Sequence, residues 1–463
     1  MSDQGLQQAR DKMAKAGVAP VAIDVFSHYY RLVESGETGM VPESTIEPLD
    51  MEALADVDVP AEASREAIGT TVVIKLNGGL GTSMGMDRAK SLLEVREGLT
   101  FLDIIARQVL ALRREYDARL PLVFMDSFRT SADTMAALAP YDGLAVDGLP
   151  LEFLQNKEPK LRADDLTPVT WDADPDLEWC PPGHGDIYTA LRGTGLLQQL
   201  IDAGYTQAFV SNSDNLGAVP DARVAGWFAR SGAPFAIEAV RRTPSDRKGG
   251  HFAVRKDDGR IVLRETAQTL EEDKQALADL SRHRFTSTNN LWFNLEAMRD
   301  ELDRREGILG LAMIRNTKTV DPADPDSPEV IQIETAMGAA IEVFDGATTI
   351  EVGRDRFVPV KTTNDLLVLR SDCYELSDDY VLELQPERVP FVDLDTAHYK
   401  LVAEFDRRFP EGVPSLRRAT SLTVHGDWTF EADVTVVGEA TLEAPEPAGT
   451  TSRVSRGTTL GAR

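Results

Sequence analysis

Apolar positions along the chain follow two patterns. Short runs rich in β-branched and aromatic residues occur at Thr71 to Leu76, Pro121 to Met125, Leu149 to Leu154 and Gln207 to Ser211. Such runs suit strands buried on both faces. Between them, apolar residues recur every three or four positions: Phe101, Ile104, Ile105, Val109 and Leu112 form one stripe, and the same spacing predicts helices over Ala132 to Leu138 and Tyr188 to Ile201. Thr100 with Asp103 three residues on is a capping-box start for the first of these helices. The alternation predicts an α/β fold with a largely parallel sheet, in which ligands sit beyond the carboxyl ends of the strands. From Ala233 to about Phe293 strand-like runs crowd together (Phe235 to Val240, His251 to Val254, Arg260 to Arg264), which predicts a mixed-sheet insertion.

The two ends differ from this middle. Residues 1–65 read as an N-terminal helical extension, with Val21, Ile23, Phe26, Tyr29, Tyr30 and Leu32 at helical spacing ahead of Pro-punctuated, Glu-rich sequence. From about Leu416 short runs recur around Gly426 and Gly438: Ser421 to His425, Trp428 to Phe430 and Val434 to Val437. They fit a β-solenoid coil or a plain β-meander equally well. Ala448 to Arg463, rich in Gly, Ser, Thr and Arg, reads as a mobile tail. Domain boundaries are therefore expected at 1–65, 66–385 and 386–463.

Charge narrows the function. The chain carries 49 Lys plus Arg against 76 Asp plus Glu, a net charge of -27, and such a field repels nucleic-acid phosphates and anionic lipid alike. No nucleic acid or membrane partner is expected. No window approaches the roughly 18 to 20 apolar residues of a membrane helix, and the first residues lack the apolar stretch of a signal peptide, so a cytoplasmic protein is expected. Cys180 and Cys373 lie far apart and the 6 histidines form no zinc-like spacing, which leaves neither a disulfide framework nor a zinc cluster.

Several segments carry chemistry. Leu76-Asn-Gly-Gly-Leu-Gly-Thr-Ser-Met-Gly85 follows a buried strand, and its glycines let backbone N–H groups approach a phosphate or a base; Lys90 just beyond can neutralise phosphate charge. The segment is neither a Walker loop nor a dinucleotide fingerprint, because Met84 and Ala89 stand where those motifs need other residues. Trp179-Cys-Pro-Pro-Gly-His-Gly-Asp186 holds His184 between glycines. Phe209-Val-Ser-Asn-Ser-Asp-Asn215 delivers Asp214 to a strand end, where a hard oxygen suits magnesium. Asn289 and Asn290 can each donate and accept, as sugar hydroxyls require, and Lys361 is a second phosphate cation candidate. Arg241-Arg242 and Arg247-Lys248 add positive charge. No nucleophile elbow, His-Glu-x-x-His helix or kinase signature set is evident.

Taken in order, Leu76 to Gly85 with Lys90-Ser91, Pro181 to Asp186, Ser211 to Ala218, Thr288 to Trp292 and Pro359 to Thr363 resemble the motifs of the eukaryotic-type UTP:glucose-1-phosphate uridylyltransferase family. The resemblance runs from Thr71 through the C-terminal region. It implies a Rossmann-like nucleotidyltransferase domain with a mixed sheet, followed by a small left-handed β-helix. It implies that Leu76, Asn77, Gly78 and Gly79 line a UTP site, that Lys90 meets the nucleotide phosphates, and that Gln155 and Gly183 meet uracil. His184 would touch the sugar phosphate, Asn212 and Asp214 the nucleotide and its Mg2+, and Asn289 and Asn290 the glucose. Lys90 and Lys361 would be catalytic. The implied partners are UTP and glucose 1-phosphate as substrates and UDP-glucose and pyrophosphate as products, with self-association left open. A UDP-N-acetylhexosamine pyrophosphorylase is the rival within the reaction class, against which Ser83 speaks, and a non-catalytic nucleotide-sugar sensor is the rival outside it. A phosphate monoester with a second pKa of about 6 is already dianionic at neutral pH, so the reaction needs cations and alignment rather than a general base.

Overall fold

The computed structural model describes residues 2–461 apart from 248, 323 and 448, so Lys248 lies outside the described residues. Its centre is a seven-stranded sheet of β1 (Thr71–Leu76), β2 (Leu122–Asp126), β3 (Glu152–Leu154), β4 (Gln207–Asn212), β5 (Phe235–Arg241), β6 (Phe285–Asn294) and β7 (Thr348–Glu351). The order across the sheet is β7-β5-β6-β4-β1-β2-β3. Every neighbouring pair is parallel except those made by β6, which runs antiparallel to β4 and β5. The result is a mixed α/β fold around one mixed sheet, consistent with a nucleotidyltransferase. Leu76 is in register with Asn212 on one side and Met125 on the other, so the carboxyl ends of β1, β2 and β4 are level and their loops open on the same edge.

Apolar residues on both faces of the sheet make two cores, one under the helix Phe101–Tyr116 and one under the helices that follow residue 186. The capping box predicted at Thr100 and Asp103 is present. The single helix expected over Tyr188 to Ile201 is two, Ile187–Gly193 and Leu196–Asp202, because Gly195 takes a left-handed φ of 75° that ends one turn and starts the next. Nor is Ala233 to Phe293 a single insertion. Phe235–Arg241 belongs to the central sheet, whereas His251–Arg255 and Ile261–Arg264 form a separate sheet with Ile46–Pro48 of the N-terminal segment. That segment is thus stitched into the middle of the chain. Its two helices, Ser2–Lys15 and Pro20–Glu34, bury Met13, Ile23, Phe26 and Tyr30 against Leu161, Ile331 and Ile333.

The last stretch contains β8 (Phe391–Leu394), β9 (Ser415–Val424), β10 (Asp427–Phe430), β11 (Thr435–Leu442), β12 (Thr451–Val454) and β13 (Thr459–Gly461). From β9 on, successive strands alternate between one sheet of order β8-β9-β11-β13 and a second of β10 with β12, and every ladder is parallel. A meander would pair its strands antiparallel and is excluded. The supposedly mobile tail instead supplies β12 and β13; each is held by the ladder of the preceding turn of chain, which asks little of the side chains. Ala448, Ala462 and Arg463 lie outside the described residues. Among the described residues no helix is long and apolar enough to cross a membrane.

Candidate active site

The glycine-rich loop leaves β1 with its first side chain turned inward. Asn77 is buried and its Nδ2 donates to Asp126 Oδ1 at 2.8 Å and to Thr134 Oγ1 at 2.9 Å, while its main-chain N–H donates to Met125 O at 2.8 Å. What the loop offers a ligand at this point is therefore backbone, with Gly79 exposed. A Cβ on Gly78 would stand 2.8 Å from Gln155 Oε1, so the Gln155 amide lies directly against the loop and would have to shift for any larger residue there. Asp126, under Asn77, has its carboxyl pushed up to about 7, chiefly by burial.

Lys90 is where three distant segments meet. Its Nζ lies 2.6 Å from Asp214 Oδ2 and also donates to the Val360 carbonyl. Asp214 follows β4 by two residues and is half-buried; its main-chain carbonyl accepts from Val360 N–H at 3.1 Å, and Ser213 N–H donates to Leu76 O at 3.1 Å. Lys361 comes one residue after Val360. Its side chain is exposed, with Nζ 5.8 Å from the centre of the Phe357 ring, and its main-chain N–H donates to Asp365 Oδ2 at 2.8 Å. Leu76, Asn77, Gly78, Gly79, Lys90, Gln155, Asn212, Asp214 and Lys361 are thereby gathered at the level ends of β1, β2 and β4.

The His184 loop stands beside this group. Gly183 has φ 81°, and a Cβ there would come 2.5 Å from Thr335 O. His184 Nδ1 accepts the Met337 N–H at 3.0 Å, which leaves the proton on Nε2, and burial pushes the ring down to about 4. At neutral pH the side chain is an uncharged donor.

The two asparagines part company. Ile237 pairs with Leu291 and Ala239 with Ser287, so Thr288, Asn289 and Asn290 bulge opposite Glu238. Asn289 sits at the bulge with φ 58° and is half-buried. Asn290 is 0% exposed, and its Nδ2 donates to Glu238 Oε2 at 3.0 Å and to Arg356 O at 3.3 Å. Its side chain is not brought to the open edge.

Sequence reasoning passed over what lies behind these loops. Glu238, fully buried, accepts from Arg356 Nε and Nη2 at 2.6 Å each and from Trp292 Nε1 at 2.9 Å. Arg356 donates to Val219 O at 2.9 Å and its carbonyl receives Asn215 Nδ2 at 3.1 Å, so the pair ties the Asp214 loop to the Lys361 loop. Lys75, buried in β1, donates to Ser211 Oγ at 2.8 Å and Ala218 O at 2.7 Å; burial pushes it down to about 7. A lone glutamate in the apolar run Phe235 to Val240, and a lone lysine in Thr71 to Leu76, were the signals available. Arg242 is likewise scaffold, its guanidinium donating to carbonyls that include Leu277 O at 2.9 Å.

Asp214 fits a magnesium ion: it is a half-buried hard oxygen donor at a strand end beside a phosphate-type lysine, and magnesium needs one or two such carboxylates with substrate phosphates. Glu43, His251 and His283 also bring ligand-type atoms within 4.8 Å of one another. That cluster is filled by cations, with Arg264 Nη2 2.7 Å and Arg282 Nε 2.6 Å from Glu43 and Arg264 Nε donating to His251 Nε2 at 3.1 Å. It holds the N-terminal segment in place.

Comparison with known proteins adds a family. Residues 23–437 match the family model described as UTP–glucose-1-phosphate uridylyltransferase. A protein of that name from Saccharomyces cerevisiae is 40% identical over 370 residues, 79% of this chain and 72% of its own length. One from Hordeum vulgare is 35% identical over 457 residues, 96% of this chain and 93% of its own. A mutant UDP-glucose pyrophosphorylase from Leishmania major, solved in complex with UDP-glucose, superposes with a TM-score of 0.91 at 42% identity, covering 98% of both chains.

Proposed function

The chain belongs to the UTP–glucose-1-phosphate uridylyltransferase family and is an enzyme that joins UTP and glucose 1-phosphate into UDP-glucose with release of pyrophosphate; we propose that the loops at the ends of β1, β2 and β4 carry out that transfer. The observation that carries the placement is the Lys90 ammonium held between the Asp214 carboxylate and the Val360 carbonyl, one residue before Lys361. This supports a reading in which two cations and a hard oxygen ligand, remote in sequence, serve one site on an acidic protein.

In this reading the backbone of Leu76 to Gly79 cradles the nucleotide, with Gln155 and Gly183 at the uracil and Asn212 beside it. The sugar phosphate meets the neutral Nε2–H of His184, which binds an anion without needing a proton from solution. Asn289 serves the glucose hydroxyls, and Asn290, its amide committed to Glu238, positions the bulge on which Asn289 stands. Attack of the sugar-phosphate oxygen on the α-phosphorus needs no general base, and pyrophosphate departs opposite to it. Lys90 and Lys361 stabilise the charge that builds on the α-phosphate and the leaving group, and the pocket they make prevails locally over a distant negative field that salt screens beyond about 8 Å. Asp214 would hold Mg2+, whose charge would offset part of that on the substrate phosphates. The parallel C-terminal turns are, in the same proposal, the left-handed β-helix that the resemblance implies, and the cytoplasm is the site of action.

A pyrophosphate-release assay over a panel of sugar 1-phosphates with UTP, with and without Mg2+, tests the assignment. Turnover is expected with glucose 1-phosphate and to fall when EDTA removes the metal. Metal-independent turnover would remove the role given to Asp214, and preference for an N-acetylated sugar would overturn the placement of Asn289.

A further inference from the structure

Asp186 ends the Pro181 to Asp186 motif, and nothing above gives it a task. It is 5% exposed, and both its oxygens are spent on one residue: Oδ2 accepts the Asn156 main-chain N–H at 2.6 Å and Oδ1 accepts Asn156 Nδ2 at 2.9 Å. Asn156 directly follows Gln155, whose own N–H donates to Asp126 O at 2.8 Å. Gln155 is therefore strung between two anchors, the end of β2 on one side and Asp186 on the other. Asp186 stands two residues from His184 in the same short turn, closed by its N–H on Gly183 O at 3.2 Å, and the other end of that turn is pinned by Met337 N–H on His184 Nδ1.

A buried carboxyl is costly to keep unless its geometry is used. The surroundings offer it little else: no cation pairs with it among the described residues, and it lines, with Tyr29, Glu158 and Pro182, a cavity beside the turn. Burial accordingly pushes its carboxyl up to about 7, with the two Asn156 bonds pulling the other way. We propose that Asp186 is a positioning residue that fixes the Gln155 segment to the His184 turn, so that the contacts to the nucleobase and to the sugar phosphate are set as one unit. This rests on the placement of Gln155 and His184 given above.

The chemistry of the contact supplies its own test. Asn156 presents two donors and Asp186 two acceptors. Asp186→Asn keeps the shape but turns one acceptor into a donor facing a donor, so one bond is lost. Asn156→Asp sets two carboxyls together. The exchange of both, Asn156→Asp with Asp186→Asn, recreates one acceptor for the main-chain N–H and one donor for the new carboxylate. Steady-state kinetics with UTP and glucose 1-phosphate should show Asp186→Asn raising KM for both substrates about tenfold, the loss of one charge-assisted bond, with kcat less affected. Asn156→Ala, which spares the main-chain bond and is the milder variant should Asp186→Asn fold poorly, should raise both by about threefold. The exchange should restore both to within about threefold of the unaltered enzyme. Unchanged KM values, a rise for one substrate alone, or no rescue by the exchange would overturn the inference. Gln155→Ala and His184→Ala in the same assay separate the two layers. If these leave KM unmoved, the placement beneath the inference fails and the inference with it; if they raise KM while Asp186→Asn does not, the inference alone fails.

Discussion

The Lys90 loop and the Lys361 loop meet at Val360, and their lysines stand in opposite states. Lys90 is half-buried and its ammonium is already bound, to Asp214 at 2.6 Å and to the Val360 carbonyl. Lys361 is exposed, its ammonium over the Phe357 ring and its charge reaching the half-buried Glu265 carboxyl, which burial pushes up and Lys361 draws down. What is fixed in the second loop is the main chain, through Asp365. One cation is held by the protein at its ammonium; the other is held at its root, and among the described residues its ammonium has no hydrogen-bond or ion-pair partner. Under the proposed function, preorganised charge acts without reorganisation at the moment of reaction, whereas an exposed tip would let substrate enter before the second cation engages.

The Asp214 loop that holds Lys90 and the Lys361 loop are tied together by the Glu238–Arg356 pair, so the strongest way to break the comparison is from beneath. Glu238→Ala leaves a buried guanidinium uncompensated and should destabilise the protein by about 3–5 kcal/mol in urea unfolding. Turnover should fall with it, because the Asp214 and Lys361 loops lose their common tie. A stability loss with normal turnover would mean that the loops hold their geometry without the pair.

Next in size is the free cation itself. Lys361→Ala should lower turnover by roughly 10² to 10³-fold, as for loss of one transition-state donor, with KM for UTP changed much less, because an unbound tip contributes late. An effect confined to KM would place Lys361 in ground-state binding and erase the contrast with Lys90.

How much of this the sequence disclosed follows from the range of each interaction. Thr100 with Asp103 is a contact three residues long and was readable, as was the glycine loop after a buried strand. The Lys90 ammonium is partnered by Asp214, and the readable part of that contact was two charged residues after strands; its other partner, the Val360 carbonyl, is main chain and has no residue-type signature. Glu238 and Arg356 are 118 residues apart, and only the oddity of a glutamate amid Phe235 to Val240 hinted at a partner. Asn289 and Asn290 looked equivalent as a pair because alternation cannot foresee a bulge, which turns one outward and seals the other. The strands in the tail were hidden for a related reason: parallel ladders to the preceding turn stabilise Thr, Ser and Arg sequences that carry no strand pattern of their own.

A smaller effect concerns His184, which belongs with Lys90 among the preset groups. Its folded pKa is depressed, to about 4 against an ordinary 6.5. Stability from keeping it neutral is fully present above pH 6.5 and is lost as pH falls from 6.5 towards 4, since the unfolded chain takes up the proton first. His184→Asn should therefore show a shallower loss of stability across that window than the unaltered protein, read as the difference between two urea-unfolding series. Equal slopes would mean that the ring takes up its proton as readily in the folded protein as in the unfolded chain, and that it is not preset as neutral by burial.

The smallest prediction tests whether the root of Lys361 matters at all. Asp365 accepts the Lys361 and Thr362 N–H groups at 2.8 Å each and receives the Thr362 hydroxyl at 3.2 Å, closing a capping box on the helix Thr363–Arg370. Asp365→Ala removes the box, a change worth about 1 kcal/mol in stability. If that box only starts a helix, kcat should be untouched. If it holds the main chain from which a free lysine tip must find the phosphates, kcat should fall by about tenfold with little change in KM, since effective concentration at the reacting group depends on where the side chain is rooted. Asp365→Asn, which can still accept from both N–H groups through one oxygen, should recover most of the lost rate, and equal defects in the two variants would show that charge at the helix start, not placement of Lys361, is what Asp365 provides.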